Sequence, residues 1–160
     1  MSIPRSITEI RFIPLEQGAE IPRRETAGAA CYDLIANEKG ILSPTRARLT
    51  ISTGIGLELP PDHVGLVCSR SGLASKHGVF VLNAPGIIDP DYQGPIKVIL
   101  GLQPRDLLWP ETNATYEFFP GMRIAQLLIL RVGELISGTA TIFSGTTERG
   151  ADGLGSTGLN

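Results

Sequence analysis

Glycine and proline punctuate this chain from end to end, 19 and 12 times in 160 residues. Inside a helix each costs roughly 1 and 3 kcal/mol relative to alanine. Between short extended runs they are the expected turn residues. The chain therefore suits many short strands better than long helices. Residues 7–13 alternate apolar and polar side chains, the mark of a half-buried strand. Further strands are predicted over 32–36, 48–51, 56–59, 64–68, 79–82, 96–102, 115–119, 124–131 and 139–143. Turn signals such as Glu38-Lys39-Gly40, Ser43-Pro44, Leu59-Pro60-Pro61-Asp62 and Phe119-Pro120-Gly121 separate them. Strands spaced in this way predict an all-β sandwich or barrel. One segment departs from the pattern: Ser71-Gly72-Leu73-Ala74-Ser75-Lys76-His77-Gly78 reads as a short helix with Ser71 as its N-cap. Residues 101–117, with Pro104, Trp109 and Pro110, read as a long connection. A chain of this length fits one domain, and no internal repeat interrupts it.

A formal net charge of −2 argues against a nucleic-acid polymer as partner, since phosphate neutralisation along a polymer needs a basic stripe. Any phosphate site should be local. Cys31 and Cys68 are too few and too far apart for a disulfide framework or a zinc pattern, even with His63 and His77 added. They read as small buried hydrophobes. No Lys- or Arg-led apolar segment opens the chain, and no apolar run approaches the ~18 residues that span a bilayer. The expectation is a soluble, cytoplasmic protein with no membrane partner. Asn113-Ala114-Thr115 matches a glycosylation acceptor only formally, for want of a secretion signal.

The chemistry concentrates in Asn83-Ala84-Pro85-Gly86-Ile87-Ile88-Asp89-Pro90-Asp91-Tyr92-Gln93-Gly94. It sets one carboxylate and one aromatic on a turn-rich hairpin between apolar strands. Asp89 is expected at a strand end, held near the surface, beside a pocket for a flat ligand. Arg70-Ser71-Gly72 opens the short helix, where backbone N–H groups, a hydroxyl and nearby Lys76 make an anion site or, more plainly, a cap and a surface charge. Gln126 interrupts an apolar strand, and a buried amide must find partners. It is either a structural hydrogen bonder or the group that orients a water, and Arg123 on the same strand is a candidate ion-pair partner. Residues 149–158, Arg149-Gly150-Ala151-Asp152-Gly153-Leu154-Gly155-Ser156-Thr157-Gly158, form either an arm that wraps a polyphosphate or a disordered tail. They lack the Gly-Lys-Ser/Thr ending of a P-loop.

Five segments, in order, resemble the five motifs of the homotrimeric dUTPase family. They are Ala30-Cys31-Tyr32-Asp33-Leu34, residues 70–78, residues 83–94, Pro120-Gly121-Met122-Arg123-Ile124-Ala125-Gln126, and residues 149–158. The resemblance implies a jelly-roll β domain over residues 1–147, a flexible glycine-rich arm over 148–160, and a homotrimer whose active sites are shared among subunits. It implies Mg²⁺-dependent hydrolysis of dUTP to dUMP and pyrophosphate in nucleotide metabolism. Asp89 would be the general base and Gln126 would help place the attacking water. Asn83 with backbone at Gly86 and Ile88 would read uracil, while Tyr92 would pack on the deoxyribose. Arg70, Ser71, Gly72, Arg149, Leu154, Gly155, Ser156 and Thr157 would surround the substrate, with Asp33 touching the metal through water. A site built to pair with the uracil edge leaves polar groups unpaired against cytosine, which supplies discrimination on the order of 10⁴-fold. The chain departs from the family pattern at Leu154, where an aromatic is usual, and at Asp152, Cys31, Ser69 and Pro95. Two other readings differ in class: a module that binds dUTP as a signal with weak turnover, and an enzyme of dCTP deaminase type, against which the glycine-rich arm argues.

Overall fold

The computed structural model describes residues 9–103 and 115–133 together with Gly145. Eleven strands and one helix form among these residues: β1 (Arg11–Pro14), β2 (Tyr32–Ile35), β3 (Gly40–Leu42), β4 (Arg48–Ser52), β5 (Ile55–Glu58), β6 (His63–Cys68), α1 (Ser71–His77), β7 (Val79–Val81), β8 (Gly86–Ile88), β9 (Lys97–Leu102), β10 (Tyr116–Phe118) and β11 (Arg123–Arg131). A four-stranded sheet runs in the order β2-β11-β6-β8 and a three-stranded one in the order β4-β9-β7. The pairs β1-β5 and β10-β3 flank them. Every one of these pairings is antiparallel.

Alternation along the strands decides what lies inside. In β6, buried His63, Gly65 and Val67 alternate with half-exposed Val64, Leu66 and Cys68. Leu34, Val67 and Leu127 from the larger sheet join Ile51, Val81 and Val98 from the smaller one in a single buried cluster. Each such side chain contributes roughly 1.5–3 kcal/mol of transfer free energy. That core turns the opposite face of the four-stranded sheet outward, where the chemistry-bearing residues stand. Among the described residues no helix is long and apolar enough to cross a membrane.

The structure corrects several expectations. Ser71 is the first helical residue rather than the N-cap: Arg70 holds the cap position in an extended conformation, with no side-chain capping bond. Gly78 ends the helix as expected, in the left-handed conformation at φ 65°. The strands expected over 96–102 and 115–119, and not the long connection over 101–117, hold at its two ends, because Gly101 and Leu102 complete β9 while Tyr116 and Glu117 belong to β10. Strands β3 and β8 were not expected; each is three residues long and exists through its partner, β10 and β6 respectively. Cys31 and Cys68 are free thiols, half-buried rather than buried. Residues 1–8, 104–114 and 134–160 apart from Gly145 lie outside the described residues, and with them the strand over 139–143 and the arm.

Thr53 pins the base of the hairpin that carries Asp89 and Tyr92. It is 1% exposed, its backbone N–H and its hydroxyl both donate to the Ile96 carbonyl (3.0 and 2.9 Å), and its Oγ1 accepts from the Ile55 N–H at 3.3 Å. Thr53→Val keeps the shape but strands the buried Ile55 donor. We expect a loss of about 1–3 kcal/mol in urea unfolding with an unchanged m-value. An unaltered midpoint would show that the hydroxyl is dispensable.

Candidate functional site: a split pocket on the four-stranded sheet

Strand β11 pairs with β2 on one side and β6 on the other, and a register shift between Arg123 and Ala125 interrupts its alternation. Ile124 and Ala125, consecutive in sequence, are both buried, at 1% and 0%. Arg123 and Gln126 therefore both emerge on the outward face, as a bulge allows and a regular strand would not. Register then sets Gln126 between Asp33 on β2 and Cys68 on β6.

Around this row stands a chain of alternating charges. One Asp33 oxygen lies 3.3 Å from Arg70 Nε and the other 3.3 Å from Arg123 Nη1. Arg123 Nη1 also meets Glu25 at 2.7 Å, and Arg70 Nη1 donates to the Arg123 carbonyl at 3.0 Å. The hydrogen bond and charge of Glu25, followed by the charge of Asp33, raise the Arg123 pKa above its ordinary value. The Gln126 amide donates to the Ser69 carbonyl at 2.9 Å, so one end of that side chain is fixed. The structural reading of Gln126 is thus met, and the side chain still lines a cavity of about 300 Å³ with Asp33, Arg70, Ser71 and Gly72.

Four of these five are residues expected to hold phosphate or water, and the fifth is the expected partner of a metal. Ala30 and Cys31, from the first motif, help to complete the wall together with Glu25 and Ala29, which sequence reasoning missed. Glu25 carried a signal in retrospect, as the single acid in the run Arg23-Arg24-Glu25. Burial, then neighbouring Cys68 and Asp33, pushes the Cys31 thiol up, so it stays protonated at neutral pH. Ser69, a departure from the family pattern that the resemblance implies, gives its hydroxyl as acceptor to the Val81 N–H at 2.8 Å.

The hairpin supplies a second group. Asn83, Asp89 and Tyr92 are exposed, while Gly86 and Ile88 are buried as β8 residues against Val67 and Gly65. Ile88 can therefore offer a ligand only its backbone. Asp89 follows the last β8 residue, as expected of a carboxylate at a strand end. Tyr92 N–H closes a turn onto the Asp89 carbonyl at 3.1 Å, with Pro90 in the position that fixes φ for such turns.

The two groups do not meet within one chain. Ile88 pairs with Gly65, whereas Gln126 pairs with Cys68 two strands away from β8. Strand rise and spacing then put Asp89 about 16 Å from Gln126. No single water can touch both. Arg149, Leu154, Gly155, Ser156 and Thr157 lie outside the described residues. Among the described residues no group of three or more His, Cys, Asp or Glu side chains could hold a metal ion.

An all-β jelly roll with a polar pocket that holds Arg70 and Asp33 at one edge of a sheet and an exposed carboxylate at the other defines the class. Comparison with known proteins agrees. The chain is 44% identical over 141 residues to the deoxyuridine 5'-triphosphate nucleotidohydrolase of Anaeromyxobacter sp. (strain Fw109-5), covering 87% of this chain and 88% of that protein. It is 43% identical over 149 residues to the enzyme of the same name from Chlamydia trachomatis serovar D, covering 92% and 97%. The Staphylococcus bacteriophage 80alpha dUTPase with dUPNHPP superposes with a TM-score of 0.83 at 26% identity, over 94% of this chain and 99% of that one. A phage phi11 dUTPase variant of S. aureus, solved with a structural Mg(II) ion, shares the fold at a TM-score of 0.73 and 24% identity, over 86% and 99%. The dUTPase family model matches residues 17–158, and the chain belongs to that family.

Asp33 is the keystone of the charge chain, with a side chain only 15% exposed between arginines that are 26% and 42% exposed. Solvent screening of the arginines moderates the cost of removing it. Asp33→Asn, which keeps shape and loses charge, is expected to cost about 1–2 kcal/mol in urea unfolding. A variant as stable as the parent protein would show that shape alone holds the two guanidinium groups.

Proposed function

We propose that the protein hydrolyses dUTP to dUMP and pyrophosphate at sites built between subunits of a homotrimer. The observation that carries the assembly is the separation of Asp89 from Gln126 on a single sheet. A base and a water-placing amide about 16 Å apart serve one reaction only when another copy brings its hairpin to the pocket. Exposed apolar side chains on and beside the outward faces, Leu82, Ile87 and Leu130 at 48%, 55% and 43%, support burial against such copies.

In this reading the triphosphate lies against Arg70, Ser71 and Gly72, where a Cβ added at Gly72 would meet nothing within 4 Å and the backbone is open to approach. Asn83 and the backbone at Gly86 and Ile88 pair with the uracil edge. Tyr92 covers the deoxyribose. Asp89 takes a proton from water as its oxygen bonds to the α-phosphorus. The bond from that phosphorus to the α,β-bridging oxygen breaks, and pyrophosphate leaves. Gln126, fixed by Ser69, helps to orient the water. The arm, through Arg149, Leu154, Gly155, Ser156 and Thr157, closes over the substrate from a third subunit. With Leu154 in place of an aromatic, its cover of the base is aliphatic.

Mg²⁺ fits this donor set as a guest of the substrate rather than of a protein cage. When bound, it neutralises charge on the phosphate oxygens. Each Asp33 oxygen already meets a guanidinium, and a carboxylate keeps lone pairs for a metal-bound water. Arg70 and Arg123 hold Asp33 in place for that contact.

Pyrophosphate release from dUTP, dCTP, dTTP and UTP in the presence of Mg²⁺ tests the reading. dUTP should be strongly preferred, and Asp89→Asn should lower kcat roughly 10²–10⁴-fold. Equal turnover of dCTP, or an active Asp89→Asn variant, would overturn it. Truncation after Glu148 is expected to leave a folded trimer by sedimentation and to remove most of the hydrolysis. An undiminished kcat would place the arm outside the site.

A further inference from the structure

Tyr92 is clamped at several points, and one of them is a residue with no side chain. Its N–H bonds to the Asp89 carbonyl at 3.1 Å and its hydroxyl donates to the Pro95 carbonyl at 3.0 Å. The phenol thus reaches over the intervening residues and folds back onto the segment that leads into β9. A Cβ added at Gly94 would stand 2.6 Å from Oη, 2.8 Å from Cζ and 3.3 Å from Cε2 of this ring. Real Cβ atoms essentially never approach that closely. The ring has little latitude to yield while both bonds hold, because one end is tied to the turn and the other to Pro95. Tyr92 is 41% exposed, so the side away from Gly94 is available to a ligand.

We propose that Gly94 is a specificity-determining residue, whose missing side chain seats the Tyr92 ring in the orientation that distinguishes deoxyribose from ribose. The inference rests on the dUTP-hydrolysing role above and extends it to a position that touches no substrate. A ring whose phenol end is held against Gly94 and Pro95 keeps one orientation, and a fixed wall can reject the extra 2′-hydroxyl by steric exclusion. Any side chain at 94 drives the ring off its seat and breaks the bond to Pro95. Gly94 is a positioning residue, and Tyr92 remains the group that meets the sugar.

The test compares kcat/KM for dUTP and UTP in the full-length protein and in Gly94→Ala, Tyr92→Phe and Tyr92→Ala. Tyr92→Ala sets the selectivity that remains without any ring. Gly94→Ala should lose roughly tenfold or more of the preference for dUTP and approach that floor. Tyr92→Phe, which keeps the ring over Gly94 but loses the bond to Pro95, should fall between Tyr92→Ala and the parent protein. Parental selectivity in a folded Gly94→Ala variant overturns the proposal while leaving dUTP hydrolysis intact. Failure of the parent protein to hydrolyse dUTP overturns the underlying reading as well. Should Gly94→Ala not fold, the double variant Gly94→Ala/Tyr92→Ala decides, since removing the ring makes room for the added Cβ, and a double variant that still fails to fold overturns the seat.

Discussion

The bulge in β11 is the constraint on which both the core and the pocket depend. A regular strand offers alternate residues to each face, so burying Ala125 would also bury Arg123. With the register shift between Arg123 and Ala125, two neighbours turn inward and the flanking Arg123 and Gln126 turn outward. The core gains a fully buried Ile124 from the same irregularity that delivers Arg123 to Asp33. Stability and site geometry are therefore set by one backbone feature. The Asp33 carboxylate fixes the result, since it joins β2, the end of β11 and the residue before α1 through two guanidinium groups.

Burial and charge divide the work around that feature. Glu25 is 64% exposed, so its 2.7 Å pair with Arg123 adds little to stability. Its effect is on where Arg123 points. Arg70 is less exposed and tied at two points, to Asp33 and to the Arg123 carbonyl. Of the two guanidinium groups, Arg70 is the one lining the cavity with Ser71 and Gly72. A phosphate entering there meets a cation already oriented by its neighbours, which lowers the reorganisation needed on binding.

Much of this was legible in the sequence wherever local pattern and final environment agree. Short runs bounded by turn signals located the strands around Thr50, Leu66 and Leu128, and glycine placed the end of α1 at Gly78. What stayed hidden depended on partners distant in sequence. Gly86-Ile87-Ile88 follows Pro85 and looks like a turn, yet pairing with Gly65, Leu66 and Val67 makes it a strand. Ser71 has the composition of a cap, but the extended residue is Arg70. In the site, the motif residues Asp33, Arg70, Ser71, Gly72 and Gln126 do gather in one cavity. Asp89 does not join them, because it follows β8, two strands away from Gln126 on β11, and the pairing of distant segments is not written in local sequence. The bulge itself was not visible either, since Ile124 and Ala125 are two apolar residues in an apolar run.

The division of the pocket has a consequence for how the protein can be active. Both halves hang from one four-stranded sheet, the phosphate side on β2, β11 and the turn after β6, the hairpin side on β8. A stiff sheet holds the two halves apart as firmly as it holds each in shape, so hinge motion within a chain cannot close a gap of about 16 Å. In the proposed trimer another copy closes it. Assembly would then both bury Ile87 and its apolar neighbours and join base to phosphate pocket. Under that proposal loss of the interface and loss of catalysis are one event.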